Sequence, residues 1–348
     1  MYDITGLSFL PSDINDSAQI VGQQYLWEAG KTTDLTTLPG ANNSSIVATS
    51  INNKGAIVGG GLTVNESTTN QETIPSQAFI SNGDTISALP RNYFCTTICP
   101  PINAEDINDS GTVALNYDGR VGLVQQSDGT TNPVLSTRSL FNIAINNQEQ
   151  VVGTAAFTGG SVVGQFSENG QRTDLVAEAE PESFYRLIRS YANDINDAGN
   201  IVGSGLVSTS IANSALEATL WTNAALSGVS LGTLGGENSE ALGINNLMQV
   251  VGSSFLGDDS TQHAFLWEDD QLIDLNSLVN PEAGWELNSA FEINNNGDII
   301  GVGTYNGEQR GFLAKAVPEP SSVLGILGLG LFGFGGWLKR QQNNKLIF

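Results

Sequence analysis

Few residues of this chain could carry out chemistry. It holds 1 His, His263, so a histidine-based triad could use only that residue, and a multi-histidine metal site is excluded. His263 opens a repeated strand, where a structural or hydrogen-bonding role is expected. Its 2 Cys, Cys95 and Cys99, bracket Thr-Thr-Ile in a proline-flanked loop. In an exported chain such a pair predicts a disulfide, with free thiols as the alternative. Asp106, Asn108 and Gly111, and again Asp194, Asn196 and Gly199, follow the pattern Asp-x-Asn-Asp-x-Gly that opens a calcium loop. The acid required at the twelfth position is missing, since Tyr117 and Gly205 stand there. A hairpin turn explains the same residues, so calcium is a candidate ligand and no other cofactor is expected. Trp285, in the loop Pro281-Glu282-Ala283-Gly284-Trp285, is the candidate to stack on a sugar. Trp27, Trp221 and Trp267 recur at equivalent places and read as packing between repeats. No catalytic residue is assigned.

Composition narrows the partners. The 348 residues carry 36 Asp and Glu against 13 Lys and Arg, a formal charge of −23. Such a surface repels phosphate backbones, which excludes nucleic acid, and it offers no polybasic patch to anionic lipid. Hydrophobic residues at 40% can build a core, and 40 Gly with many Asn mark a turn-rich β chain.

The elements that must position these residues come from a repeat. Ile-Asn-Asn/Asp recurs at Ile14, Ile51, Ile107, Ile145, Ile195, Ile244 and Ile293. Ala precedes the Ile by three positions at Ala48, Ala104, Ala192, Ala241 and Ala290, and Gly follows it by eight in every copy but one, where Leu115 stands. Each copy predicts a hairpin: a strand ending in Ile, an Asn-led turn, then Ile-Val-Gly or Val-Val-Gly. Ala18, Glu149 and Met248 occupy the turn position that Gly fills elsewhere, so those turns should be strained or of another type. A second hairpin alternates with the first, as in Tyr25-Leu26-Trp27 to Asp34-Leu35. Two hairpins per period make the four strands of a propeller blade.

The ends complement each other. Ile4-Thr5-Gly6-Leu7 is a strand without its opening partner, and Arg310-Gly311-Phe312-Leu313-Ala314 is a strand without its blade. Joining Arg310–Ala314 to the blade built from residues 2 to 24 gives an all-β, seven-bladed β-propeller closed by both termini, over residues 1–316. An open solenoid gains nothing from such ends.

Residues 317–348 form a separate tail. Val317, Pro318, Glu319 and Pro320 stop the sheet. Ser321 to Leu338 then runs 18 residues without a charge, enough for one transmembrane helix, and Lys339, Arg340 and Lys345 predict a cytoplasmic end.

This tail resembles the PEP-CTERM sorting signal, in the order Val317-Pro318-Glu319-Pro320, apolar span, basic end. The resemblance implies export, inner-membrane anchoring by the span, and handling by an exosortase-type membrane transpeptidase associated with exopolysaccharide systems. The final location would be the cell surface or the extracellular space. The repeats resemble the HAF-repeat family of extracellular proteins, with the triplet present at His263-Ala264-Phe265. Met1-Tyr2-Asp3-Ile4 carries neither the basic start nor the apolar run of a leader, so the true start is expected upstream. The functional expectation is a surface propeller that binds, with polysaccharide the leading ligand, or that serves as a structural protein of the extracellular matrix. The alternative is a glycosidase or lyase using carboxylates at the central channel, recognisable by an acid cluster outside the repeat pattern.

Overall fold

The computed structural model describes residues 1–42, 44–62, 77–90, 102–137, 139–158, 160–175, 189–206, 215–222 and 227–317. Within them the chain forms seven four-stranded antiparallel sheets. Blade 1 is Asp13–Ile14, Ile20–Gly22, Tyr25–Glu28 and Lys31–Asp34. Blades 2 to 6 begin at Val47, Ile102, Ser139, Ser190 and Gly235. Blade 7 combines Trp285–Ile293, Ile299–Tyr305 and Glu308–Ala316 with the N-terminal strand Tyr2–Leu7.

The closing register runs antiparallel from Tyr2 opposite Ala316 to Leu7 opposite Gly311. Val317 N–H extends the ladder by donating to the Met1 carbonyl at 3.0 Å. Both termini do close the ring, but the phase differs from the expected one. Residues 2–7 do not share a blade with residues 13–22. They form the outermost strand of blade 7, and Glu308–Ala316 lies between them and Ile299–Tyr305. The physical reason is edge protection: each side of the last hairpin gains a full ladder.

Apolar side chains collect between blades rather than in one centre. Phe312, Leu287 and Ile293 of blade 7 pack with Val251, Leu266 and Leu275 of blade 6. On the other side of blade 7, Ile300 and Leu313 meet Ile14 and Ile20 of blade 1, with Trp27 against them. Trp221 is buried between blades 4 and 5, and Trp267 packs on the cluster between blades 5 and 6. These three Trp are inter-blade packing residues.

All seven Ile-Asn turns lie on one face, around the mouth of the central channel. The strand ends joined by residues 63–76, 91–101, 176–188 and 207–214 lie on the opposite face. Cys95, Cys99 and the span 321–338 lie outside the described residues. Among the described residues no helix is long and apolar enough to cross a membrane.

Candidate functional site

The mouth is built by one local rule repeated seven times. In the first turn Ala18 N–H donates to the Asn15 carbonyl and Asn15 N–H to the Gln19 carbonyl. This is a type I turn followed by a left-handed residue. The Asn15 side-chain oxygen accepts from Ser17 and Gln19 N–H, each at 3.0 Å. The left-handed residue is Gly55, Gly111, Gly199 or Gly297 in four turns, and Ala18 (φ 55°), Glu149 (φ 60°) or Met248 (φ 64°) in the other three. The three exceptions therefore keep the same turn.

Each turn Asn then reaches the next blade. The amide Nδ2 of Asn15, Asn52, Asn108, Asn146, Asn196, Asn245 and Asn294 donates to the backbone carbonyl of the following Asn, at 2.9 to 3.1 Å, and the last donates to Asn15. This position needs a donor and an acceptor in one short side chain, which Asp lacks. The next residue along supplies an acceptor in every blade, and its Asn members also donate to neighbouring Asp members. Its side-chain oxygen takes the backbone N–H of the preceding blade at 2.8 to 2.9 Å around the whole ring. Asn and Asp alternate there as Asp16, Asn53, Asp109, Asn147, Asp197 and Asn246, and the odd seventh place is Asn295. No two of these Asp are neighbours.

Just inside the mouth, the residue before each Ile follows a second pattern, and three of the seven, Asp13, Ser50 and Asp106, line the channel. The seven are Asp13, Ser50, Asp106, Ala144, Asp194, Gly243 and Glu292. Acid and small residue alternate for the first six. Asp13 accepts from its own Ile14 N–H at 2.6 Å and from Ile51 N–H of blade 2 at 2.7 Å. Asp106 bridges Ile107 and Ile145, and Asp194 bridges Ile195 and Ile244, in the same way. Ser50 Oγ lies 2.7 Å from both Asp13 and Asp106.

Seven is odd, so the alternation cannot close. Glu292 breaks it, adjacent to Asp13 on one side. On the other side its Oε2 lies where a Cβ on Gly243 would come within 2.6 Å. Burial, then the neighbouring carboxylates Asp194, Asp13 and Asp106, push the Glu292 carboxyl well above the usual range. Burial raises Asp13 to about 6 and Asp194 to about 7, with Asp106 adding to both, and burial likewise raises Asp106. Glu292 is the acid outside the repeat pattern that sequence reasoning did not single out. Lining up the residues before each Ile would have found it.

The four calcium candidates are thus occupied in different ways. Asn108 and Asn196 belong to the amide ring, while Asp106 and Asp194 latch backbone amides across blades. Among the described residues no group of three or more His, Cys, Asp or Glu is arranged to hold a metal ion. His263 Nδ1 meets Asp274 at 2.8 Å, and its Nε2 lies 3.9 Å from Glu286 at the start of the first strand of blade 7.

Trp285 lies elsewhere, across the surface of blade 7. Its ring sits 5.0 Å from the Tyr305 ring and 6.3 Å, edge-on, from Phe312. At the outer strand Gly6 leaves room for it: a Cβ there would be 3.2 Å from the indole. A cleft of about 400 Å³ opens beside it, bordered also by Asp3, Asn280 and Arg310.

Residues 316–341 carry the PEP-CTERM protein-sorting motif. That motif marks exported proteins that an exosortase sorts at the envelope. No curated protein matches the chain. Among solved structures, the chain is similar to the β-propeller domain of the Trilobed protease from Pyrococcus furiosus, with 12% identity, 90% of this chain and 96% of that one covered, and a TM-score of 0.51. That domain is described as having an open velcro topology. Here the seam is closed by Tyr2–Leu7 on Glu308–Ala316. TolB from Acinetobacter baumannii is similar at 12% identity over 91% of this chain and 81% of its own, with a TM-score of 0.43. These likenesses concern the fold alone.

Proposed function

We propose that this chain is an exported β-propeller of the HAF-repeat type that binds polysaccharide at the cell surface. In this reading residues 321–338 hold it in the inner membrane, and an exosortase-type transpeptidase then acts near Pro318-Glu319-Pro320. The observation that carries the reading is the sorting motif at residues 316–341, which begins where the closing strand Glu308–Ala316 ends. The ring is thereby the cargo of the tail, with no domain between them. Cys95 and Cys99 are bridged in the exported form.

The channel supports a second reading, a carbohydrate-active enzyme, through Glu292. A carboxyl that holds its proton within a cluster of acids is the arrangement a general acid requires. Against it, Asp13, Asp106 and Asp194 are each engaged by backbone amides of two blades, which suits a latch better than a base. A glycan array probed with the full chain, beside a glycosidase and lyase screen, decides between them. Binding without turnover supports the first reading. Turnover that Glu292→Gln abolishes supports the second, and neither binding nor turnover contradicts both.

A further inference from the structure

Blade 7 differs from the other six in one respect that ring closure does not require. Trp285 opens its innermost strand, and the indole crosses the sheet, touching Tyr305 of the second strand, Phe312 of the third and the place of Gly6 on the fourth. It is half-buried, so these contacts fix the ring while part of it faces the cleft. The entry to Trp285 is also fixed: Asn280 caps the short turn Pro281–Ala283, and Gly284 adopts a left-handed conformation. A large aromatic held this way loses little entropy on binding a ligand.

The rim supplies a cationic group. Arg310 lies over the Tyr305 ring at 5.5 Å and pairs with Glu308 at 2.7 Å. A cleft of about 400 Å³ falls within the size range of small-molecule sites, about 300–1,000 Å³.

We propose that this cleft binds a neutral hexopyranose chain, with the indole of Trp285 as the stacking platform and Arg310 as the group that donates to its hydroxyls. The proposal rests on the polysaccharide reading above and gives it a site. A pyranose ring offers an apolar C–H face, which stacks on an indole, and hydroxyl pairs at its edge. A guanidinium donates to such a pair. Charge selects the neutral class. The whole chain carries −23, so a polyanion would be repelled.

The test is titration calorimetry on the full chain in detergent, with cellohexaose and dextran as neutral probes and alginate as the anionic one. Wild type should bind a neutral probe and not alginate. Trp285→Ala should weaken binding by about tenfold or more, and Trp285→Phe by less. Arg310→Gln is a surface change that leaves the ring intact and should weaken binding about three- to tenfold, whereas Asp3→Asn, on the opposite face of the sheet, should leave binding unchanged. Neutral binding that persists unchanged in Arg310→Gln and Trp285→Phe overturns the cleft but leaves the polysaccharide reading standing. Binding of alginate alone, or of no probe, overturns the proposal.

Discussion

The side-chain amide of Asn294 donates to the backbone carbonyl of Asn15 at 3.0 Å, across 279 residues of chain. This bond closes a circle of seven identical bonds at the channel mouth. The strand pair Tyr2–Leu7 on Glu308–Ala316 closes the ring a second time, on its outside. The two closures are mechanically separate, so each can be weakened alone.

The inner closure distinguishes two positions that look alike in sequence. Asn108→Asp keeps the shape, loses the donor to Asn146 and adds a buried charge, so it should destabilise by about 1–3 kcal/mol. Asp109→Asn keeps an acceptor for the Asn53 N–H and loses the oxygen that takes the exposed side-chain amides of Asn53 and Asn147, so it should destabilise by less, about 0.5–1 kcal/mol. Urea denaturation of the two variants measures the contrast.

The three left-handed turns without glycine hold removable strain. Ala18 adopts φ 55°, where a Cβ is disfavoured by about 1–2 kcal/mol. Ala18→Gly should therefore stabilise by about 0.5–1 kcal/mol, after the entropy of a freer unfolded chain is subtracted. Gly199→Ala, at φ 78°, should destabilise by a similar or larger amount. Thermal melts of both variants check the pair of signs.

The outer closure buries Phe312 completely, between blades 6 and 7. Phe312→Ala should destabilise by about 3–5 kcal/mol, and deletion of residues 309–316 by more, since a whole strand between two ladders is lost. Calorimetry should show one broadened or lowered transition, and protease digestion should begin within the N-terminal strand.

The channel carboxyls make stability depend on pH. Asp13, Asp194 and Glu292 hold their protons more tightly in the ring than in the unfolded chain, whose Asp and Glu titrate near 4. Their contribution is fully present below about pH 4 and is lost as pH rises through about 6 to 7 and beyond. Glu292→Gln removes the most strongly crowded acid. It should raise stability at pH 8 by about 1–3 kcal/mol and flatten the fall between pH 5 and 8. Asp269→Asn, on an exposed turn, should leave that slope unchanged.

The repeat in the sequence disclosed the blades because each Ile-Asn turn is a local device with its own residues. The phase of the seam was not legible. Ile4 to Leu7 precedes Ile14 in the chain, and only tertiary pairing with Glu308–Ala316 assigns it to blade 7. The difference between the two Asn positions was also hidden, since both read as turn formers. Their separate duties arise between blades, at sequence distances of 37 to 56. Trp285 stood out as an aromatic outside the repeat. Its companions Tyr305 and Arg310 did not, because they lie on later strands of the same sheet.

The most direct test of the account is mass spectrometry of the C-terminus in protein recovered from the cell surface. The account predicts a ring that has lost the residues after about Pro320, and retention of the full tail when Pro318-Glu319-Pro320 is replaced by Ala-Ala-Ala. A surface-located wild-type chain that still ends at Phe348 would contradict sorting by this tail.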